Sequence, residues 1–102
     1  MLMRIAVLTP DREIFEGSIA SVRVPGVKGS FQVLNGHAAI VSALEEGKVE
    51  IVTSAGDYSY YDKNSKETQT GSAAGKKINF QIEGGFIEVL NNEISLLIQG
   101  VQ

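Results

Sequence analysis

Five segments of this chain alternate apolar and polar residues with a period of two, and that rhythm excludes most folds. Met3, Ile5 and Val7 fall on one side of an extended chain, with Arg4 and Ala6 between them. Ala20, Val22 and Val24 alternate with Ser21 and Arg23, and Val49 and Ile51 with Lys48 and Glu50. Ile78, Phe80 and Ile82 alternate with Lys77, Asn79, Gln81 and Glu83, and Ile94, Leu96 and Ile98 with Ser95 and Gln99. Successive side chains of a strand point to opposite faces, so each segment reads as a strand with one buried face. Turn signals separate them: Thr9-Pro10-Asp11, Glu16-Gly17, Pro25-Gly26, Asn35-Gly36, Glu46-Gly47, Ala55-Gly56-Asp57 and Gly84-Gly85. Asn91-Asn92 has the spacing of a two-residue hairpin, and Asn tolerates the positive φ of a type I′ turn. A chain of 102 residues built this way is expected to be one all-β domain, an antiparallel sandwich or barrel.

Two segments break the rhythm. His37 to Gly47 contains Ala38-Ala39, Ala43-Leu44 and Glu45-Glu46, which favour a short helix closed by Gly47, but also Ile40-Val41, which favours strand. The residues leave both open. Asp62 to Lys77 contains no large apolar side chain. Burial cannot offset its ordering entropy, so it is expected to be a polar flexible loop or a hairpin tip.

Composition excludes several functions. Nine Lys plus Arg stand against twelve Asp plus Glu, a net charge of -3, and phosphate neutralisation needs a basic surface, so nucleic acid is not an expected partner. The chain has no cysteine, which removes disulfides and thiolate metal sites and fits a cytoplasmic domain better than a stapled secreted one. Met-Leu-Met-Arg-Ile-Ala-Val-Leu has no basic stretch ahead of its apolar residues and does not read as a signal peptide. No apolar run approaches the ~20 residues of a membrane span. Direct membrane insertion is therefore not expected.

Candidate chemistry is sparse. His37 is the one imidazole, and without a second His or a Cys it has no partner for a nucleophile or a His-based metal site. It reads as a loop histidine bonded to the adjacent turn, or as a protein contact. Asp11 with Glu13, and Glu45 with Glu46, read as solvated carboxylates. No Gly-Lys-Ser/Thr follows Gly26 and Gly29, so they form no phosphate loop. Tyr58 and Tyr60 share a strand face, with Tyr61 on the other. They read as cross-strand packing or, alternatively, as an aromatic face of a free-standing binding module. No catalytic, cofactor or metal residue is assigned, and the chain reads as a domain that binds something.

The order of motifs carries further information. Leu8-Thr9-Pro10 is followed by Phe15-Glu16-Gly17 and Ser21-Val22-Arg23-Val24-Pro25-Gly26, then by Gly29-Ser30-Phe31-Gln32-Val33-Leu34-Asn35-Gly36-His37-Ala38. Gly84-Gly85-Phe86-Ile87-Glu88-Val89 and Asn92-Glu93-Ile94-Ser95-Leu96-Leu97-Ile98 close the series. This series resembles the N-terminal domain of the epsilon subunit of F-type ATP synthases, over most of the chain except the polar loop. The resemblance implies a flattened β-sandwich of about ten strands, with the segment after His37 mostly strand. It also implies a non-catalytic central-stalk subunit that couples the membrane rotor ring to the gamma subunit of a proton-translocating enzyme, held at the cytoplasmic face of a bacterial inner membrane. Carried over by position, Thr9, His37 and Ser42 match places facing gamma, and Lys28, Gly29 and Ser30 match the loop that approaches the rotor ring. Asn35 stands where the family usually has Pro, and Gln32 where it usually has Gly. Family members commonly continue into a C-terminal helical hairpin, where the family places inhibition and, in some members, ATP binding. This sequence stops at Gln102, and the expectation is that it lacks both functions.

Overall fold

The computed structural model describes residues 3–62 and 64–101. Nine strands, and no helix, occur among them: β1 (Met3–Leu8), β2 (Glu13–Val24), β3 (Phe31–Leu34), β4 (Ile40–Leu44), β5 (Gly47–Asp62), β6 (Glu67–Gly71), β7 (Lys77–Ile82), β8 (Gly84–Leu90) and β9 (Glu93–Gln99). The main path runs β4-β8-β9-β1-β2-β5-β6, with β3 added to β2 and β7 added to β5.

The two longest strands, β2 and β5, join two layers. The first half of β2 pairs with β1, from Met3 opposite Ile19 to Leu8 opposite Glu13. Its second half pairs with β3, from Ser21 opposite Leu34 to Val24 opposite Phe31. Likewise β5 pairs first with β7, up to Val52 opposite Lys77, and then with β6, from Tyr58 opposite Gly71. Val33, Val49, Ile51 and Ile82 thereby join Ile5, Val7, Ile87, Leu96 and Ile98 in one buried cluster. The extents of 36 × 31 × 19 Å give the flattened shape.

The nine strands among the described residues agree with the sandwich of about ten that was expected. Other sequence expectations need adjustment. The pairing is antiparallel except between β1 and β9, which run parallel, Ile5 opposite Ile94. Those strands lie more than eighty residues apart in sequence, so no hairpin links them and their relative direction is free. The alternation in β2 changes phase: Ala20 is exposed and Ser21 is buried. Register shifts against β5 on either side of Ile19 account for this, because an extra residue turns every later side chain to the other face. The ambiguous segment after His37 contains β4, paired with β8 from Ile40 opposite Val89 to Leu44 opposite Gly85. Pairing along β8 outweighs its helical propensity, and Gly47 opens β5 instead of closing a helix.

Part of the polar 62–77 stretch is strand β6, returning along the end of β5. The β5–β6 turn is closed on Asp62, whose carbonyl accepts from the Lys66 N–H at 2.8 Å and whose Oδ1 accepts from the Asn64 N–H at 2.9 Å, and what orders the stretch from β6 to β7 is Thr53. Its hydroxyl donates to the Ala73 carbonyl at 2.6 Å and accepts from the Lys76 amide at 2.9 Å. Its backbone N–H donates to Lys76 O at 3.0 Å, and its carbonyl accepts from the Gly75 N–H at 2.8 Å. One buried threonine thus anchors the crossover from β6 to β7 by hydrogen bonds, in a segment that has no large apolar side chain to bury.

Candidate functional site

Register across β4, β8, β9 and β1 sets Ala43 opposite Phe86, Phe86 opposite Leu97, and Leu97 opposite Leu8. These four form one row across the outer face of the sheet. Ile87, Val89, Leu96, Ile98, Ile5 and Val7 fill the inner face of the same strands. Val41 lies beside the row at 70% exposure, while Phe86 and Leu97 are 56% and 50% exposed. Single exposed apolar residues are ordinary, but a contiguous run of them on a small domain marks an interaction surface. Glu88 and Glu93 stand on this face without an ion-pair partner among the described residues, whereas Arg4 on β1 is paired with Glu16 at 3.7 Å. The face is apolar with an acidic margin.

Thr9 follows Leu8 at the end of this row. Its hydroxyl accepts from the Asp11 and Arg12 amides at 3.3 and 3.2 Å and donates to Arg12 O at 3.1 Å. That hydroxyl holds its own turn, so any contact here is made by the turn as a shape. Beside it the Arg12 guanidinium lies 4.1 Å from the centre of the Tyr61 ring. Ser42 sits in mid-β4 opposite Ile87, its hydroxyl donating to Ala43 O at 3.3 Å. Lys28, Gly29 and Ser30 form an exposed loop against the same strand. Val27 N–H donates to Ala43 O at 3.2 Å, and Gly29 N–H closes a turn on Gly26 O at 2.9 Å. A groove of ≈ 590 Å³ is lined by this loop together with Phe31, Val41 and Ser42.

The structure therefore brings Ser42 together with the 28–30 loop, and the apolar row leads from there to Thr9. His37 lies at the other end of β1, roughly 20 Å from Thr9 by strand rise. There Asn92, beside Arg4, accepts from the Gly36 N–H at 2.8 Å and donates through Nδ2 to Asn35 Oδ1 at 2.9 Å. The His37 Nδ1 is 2.7 Å from the Ala38 carbonyl. A carbonyl can only accept, so Nδ1 carries the proton. The histidine bonds to its own loop, as its isolation in the sequence suggested.

The aromatic cluster is not an exposed face. Tyr58 is 4% exposed and stacks on Phe15 with ring centres 5.7 Å apart. Its strand neighbours are Gly17 on β2 and Gly71 on β6. A Cβ at Gly71 would lie 2.6 Å from the Tyr58 ring, so glycine there makes room for the aromatic. Tyr60 is half-buried against the core and Tyr61 lies under Arg12.

Sequence reading missed Val41, Phe86 and Leu97. A signal for two of them exists: Phe86-Ile87-Glu88-Val89-Leu90 and Leu96-Leu97-Ile98 carry apolar residues on both faces, against the alternation. Among the described residues no group of three His, Asp or Glu side chains is placed to hold a metal. Among the same residues no helix is long and apolar enough to cross a membrane. Glu50 carries the clearest titration change: a hydrogen bond and the charge of Lys48 hold its carboxyl below the usual range.

A stiff sandwich with one core, an apolar outer sheet face and no convergent catalytic groups among its described residues is a docking domain. Residues 2–62 match the profile described as ATP synthase, Delta/Epsilon chain, beta-sandwich domain. The ATP synthase epsilon chain of Chlorobaculum tepidum is 39% identical over 95 residues, spanning 93% of this chain and 86% of that one. That of Chlorobium limicola is 36% identical over 98 residues, spanning 96% and 90%. The chain belongs to the ATP synthase epsilon-chain family. A chain in the mitochondrial ATP synthase OSCP/F1/c-ring assembly of Euglena gracilis shares the fold, with a TM-score of 0.74 at 19% identity. The match covers 99% of this chain and about half, 52%, of that one.

Proposed function

We propose that this chain is a non-catalytic central-stalk subunit of a proton-translocating F-type ATP synthase, coupling the membrane rotor ring to the gamma subunit. Membership in such a complex makes it peripheral to a membrane, here the cytoplasmic face of a bacterial inner membrane. The observation that carries the reading is the row Ala43–Phe86–Leu97–Leu8, an uncovered apolar stripe running between the positions of Ser42 and Thr9. A subunit that transmits torque needs a body that does not yield and an interface that does not slip. The dense core supplies the first, and burial of this row against gamma supplies the second. The gamma-facing residues are then Thr9 and the row that ends beside it, with His37 at the distal end of the same sheet; the Ser42 side chain, opposite Ile87, takes the inner side of β4 and would reach gamma only along that edge strand. The loop of Lys28, Gly29 and Ser30, with Val27 exposed at its base, faces the rotor ring.

The test is co-purification with gamma from the same organism and attachment of the pair to isolated rings. Leu97→Glu is expected to abolish gamma binding while leaving the fold intact. Val27→Glu is expected to weaken ring attachment and to leave gamma binding unchanged. Unaltered gamma binding by a folded Leu97→Glu protein would remove this face from the proposal.

A further inference from the structure

Asn35-Gly36 is the sequence pair in which an asparagine loses its amide most readily, because glycine leaves the following nitrogen unshielded. In that reaction the Gly36 nitrogen bonds to Asn35 Cγ, the Cγ–Nδ2 bond breaks, and ammonia leaves with the proton the nitrogen gives up. Water then opens the five-membered imide to aspartate or isoaspartate. Asn35 is exposed, so solvent can reach it.

The fold opposes each requirement. The His37 N–H donates to Leu34 O at 3.1 Å, and Gly36, the second central residue, has φ 83°. That combination defines a type II turn with Asn35 first, whose ψ is about +120°, whereas closing the imide ring needs about -120°, where the next nitrogen eclipses Cβ. The Gly36 N–H proton is held by Asn92 Oδ1 at 2.8 Å. An amide oxygen is too weak a base to remove that proton and instead shields it. The Asn35 carboxamide is held by Asn92 Nδ2 at 2.9 Å, which restricts the rotation that would bring Cγ over the nitrogen. Asn92 is itself fixed: it is 9% exposed, sits at φ 63° in the β8–β9 turn, and its carbonyl accepts from the Arg4 amide at 2.9 Å.

We propose that Asn35 is a latent deamidation site and that Asn92 is the residue that keeps it latent. One side chain grips both reacting groups, from a position 57 residues away in sequence. Release would add a negative charge, and as isoaspartate an extra backbone carbon, in the loop that ends at His37. The inference is independent of what docks on the sheet.

The experiment incubates the folded protein at neutral pH and follows the gain of one mass unit in the tryptic peptide Gly29–Lys48, which contains no other asparagine. The same peptide, released beforehand, reports the unrestrained rate. Wild type is expected to react far more slowly than the free peptide. Asn92→Ala is expected to react about thirtyfold faster than wild type, the share of two ordinary hydrogen bonds at about 1 kcal/mol each. Should Asn92→Ala fail to fold, Asn92→Gly, which accepts the positive φ of that turn without strain and also lacks both amide groups, is expected to show the same acceleration. A folded Asn92 variant reacting at the wild-type rate, or a native protein as labile as its peptide, overturns the proposal.

Discussion

Replacing Thr53 with valine tests how a segment without large apolar side chains is held in place. The exchange keeps the shape of the side chain and removes its hydroxyl, which joins Ala73 O and the Lys76 amide. Thr53 is 1% exposed, so the methyl that replaces the hydroxyl stays in the interior and no core cavity opens. Two hydrogen bonds at about 1 kcal/mol each are lost, about 2 kcal/mol together. Ala73 and Lys76 are themselves exposed, so water compensates in part. For a domain of about 100 residues, 2 kcal/mol lowers Tm by about 8–16 °C, and the lower figure is expected here. Thermal denaturation followed by circular dichroism measures the global effect. Amide exchange read by NMR measures the local one: Lys76 N–H loses its acceptor and its exchange should accelerate, while amides of β9 change only with global stability. Thr53→Ser keeps the hydroxyl and should preserve the protection of Lys76. If Thr53→Val melts within about 2 °C of wild type and Lys76 exchanges at its original rate, the threonine does not anchor the crossover.

The glycines beside Tyr58 should differ in tolerance. A Cβ at Gly71 meets the far end of the ring, at 2.6 Å, and the ring can tilt, so Gly71→Ala should cost about 1–3 kcal/mol in urea denaturation. A Cβ at Gly17 meets Tyr58 Cα at 2.9 Å, backbone that cannot tilt away, and Gly17→Ala should cost more. Leu97→Glu, on the outer face, should leave stability within about 0.5 kcal/mol of wild type while removing gamma binding. Glu50 is held below its usual range chiefly by the Lys48 hydrogen bond. A carboxyl lowered in the folded state stabilises above its unfolded pKa, and that contribution is lost as pH falls through the folded value. Lys48→Ala should therefore raise the Glu50 midpoint in an NMR titration and flatten that part of the acid limb.

Local pattern made much of the fold legible. Ile78 to Ile82 alternates in the structure as in the sequence, and Asn91 and Asn92 take φ 51° and 63°, the two positive values of a type I′ turn. Ala20 and Ser21 were misread because a bulge depends on how β5 pairs with β2, and a period of two carries no mark of where one residue is added. The helix-or-strand ambiguity after His37 was settled by β8, more than forty residues on. The docking row was illegible for the same reason. Ala43, Phe86, Leu97 and Leu8 come from four strands, and nothing local says that they share a row.

By its own alternation, turn residues and motif order, the chain specified an all-β domain, its single core and the family to which it belongs. Those depend on side-chain period and backbone φ, which act between near neighbours. Only the folded sheet decided that β1 and β9 lie parallel, that Thr53 ties down the crossover, that Asn92 grips Asn35 and Gly36, and that an apolar row is left uncovered. Each of these joins residues far apart in sequence, and strand register, which no local pattern encodes, is what brings them together.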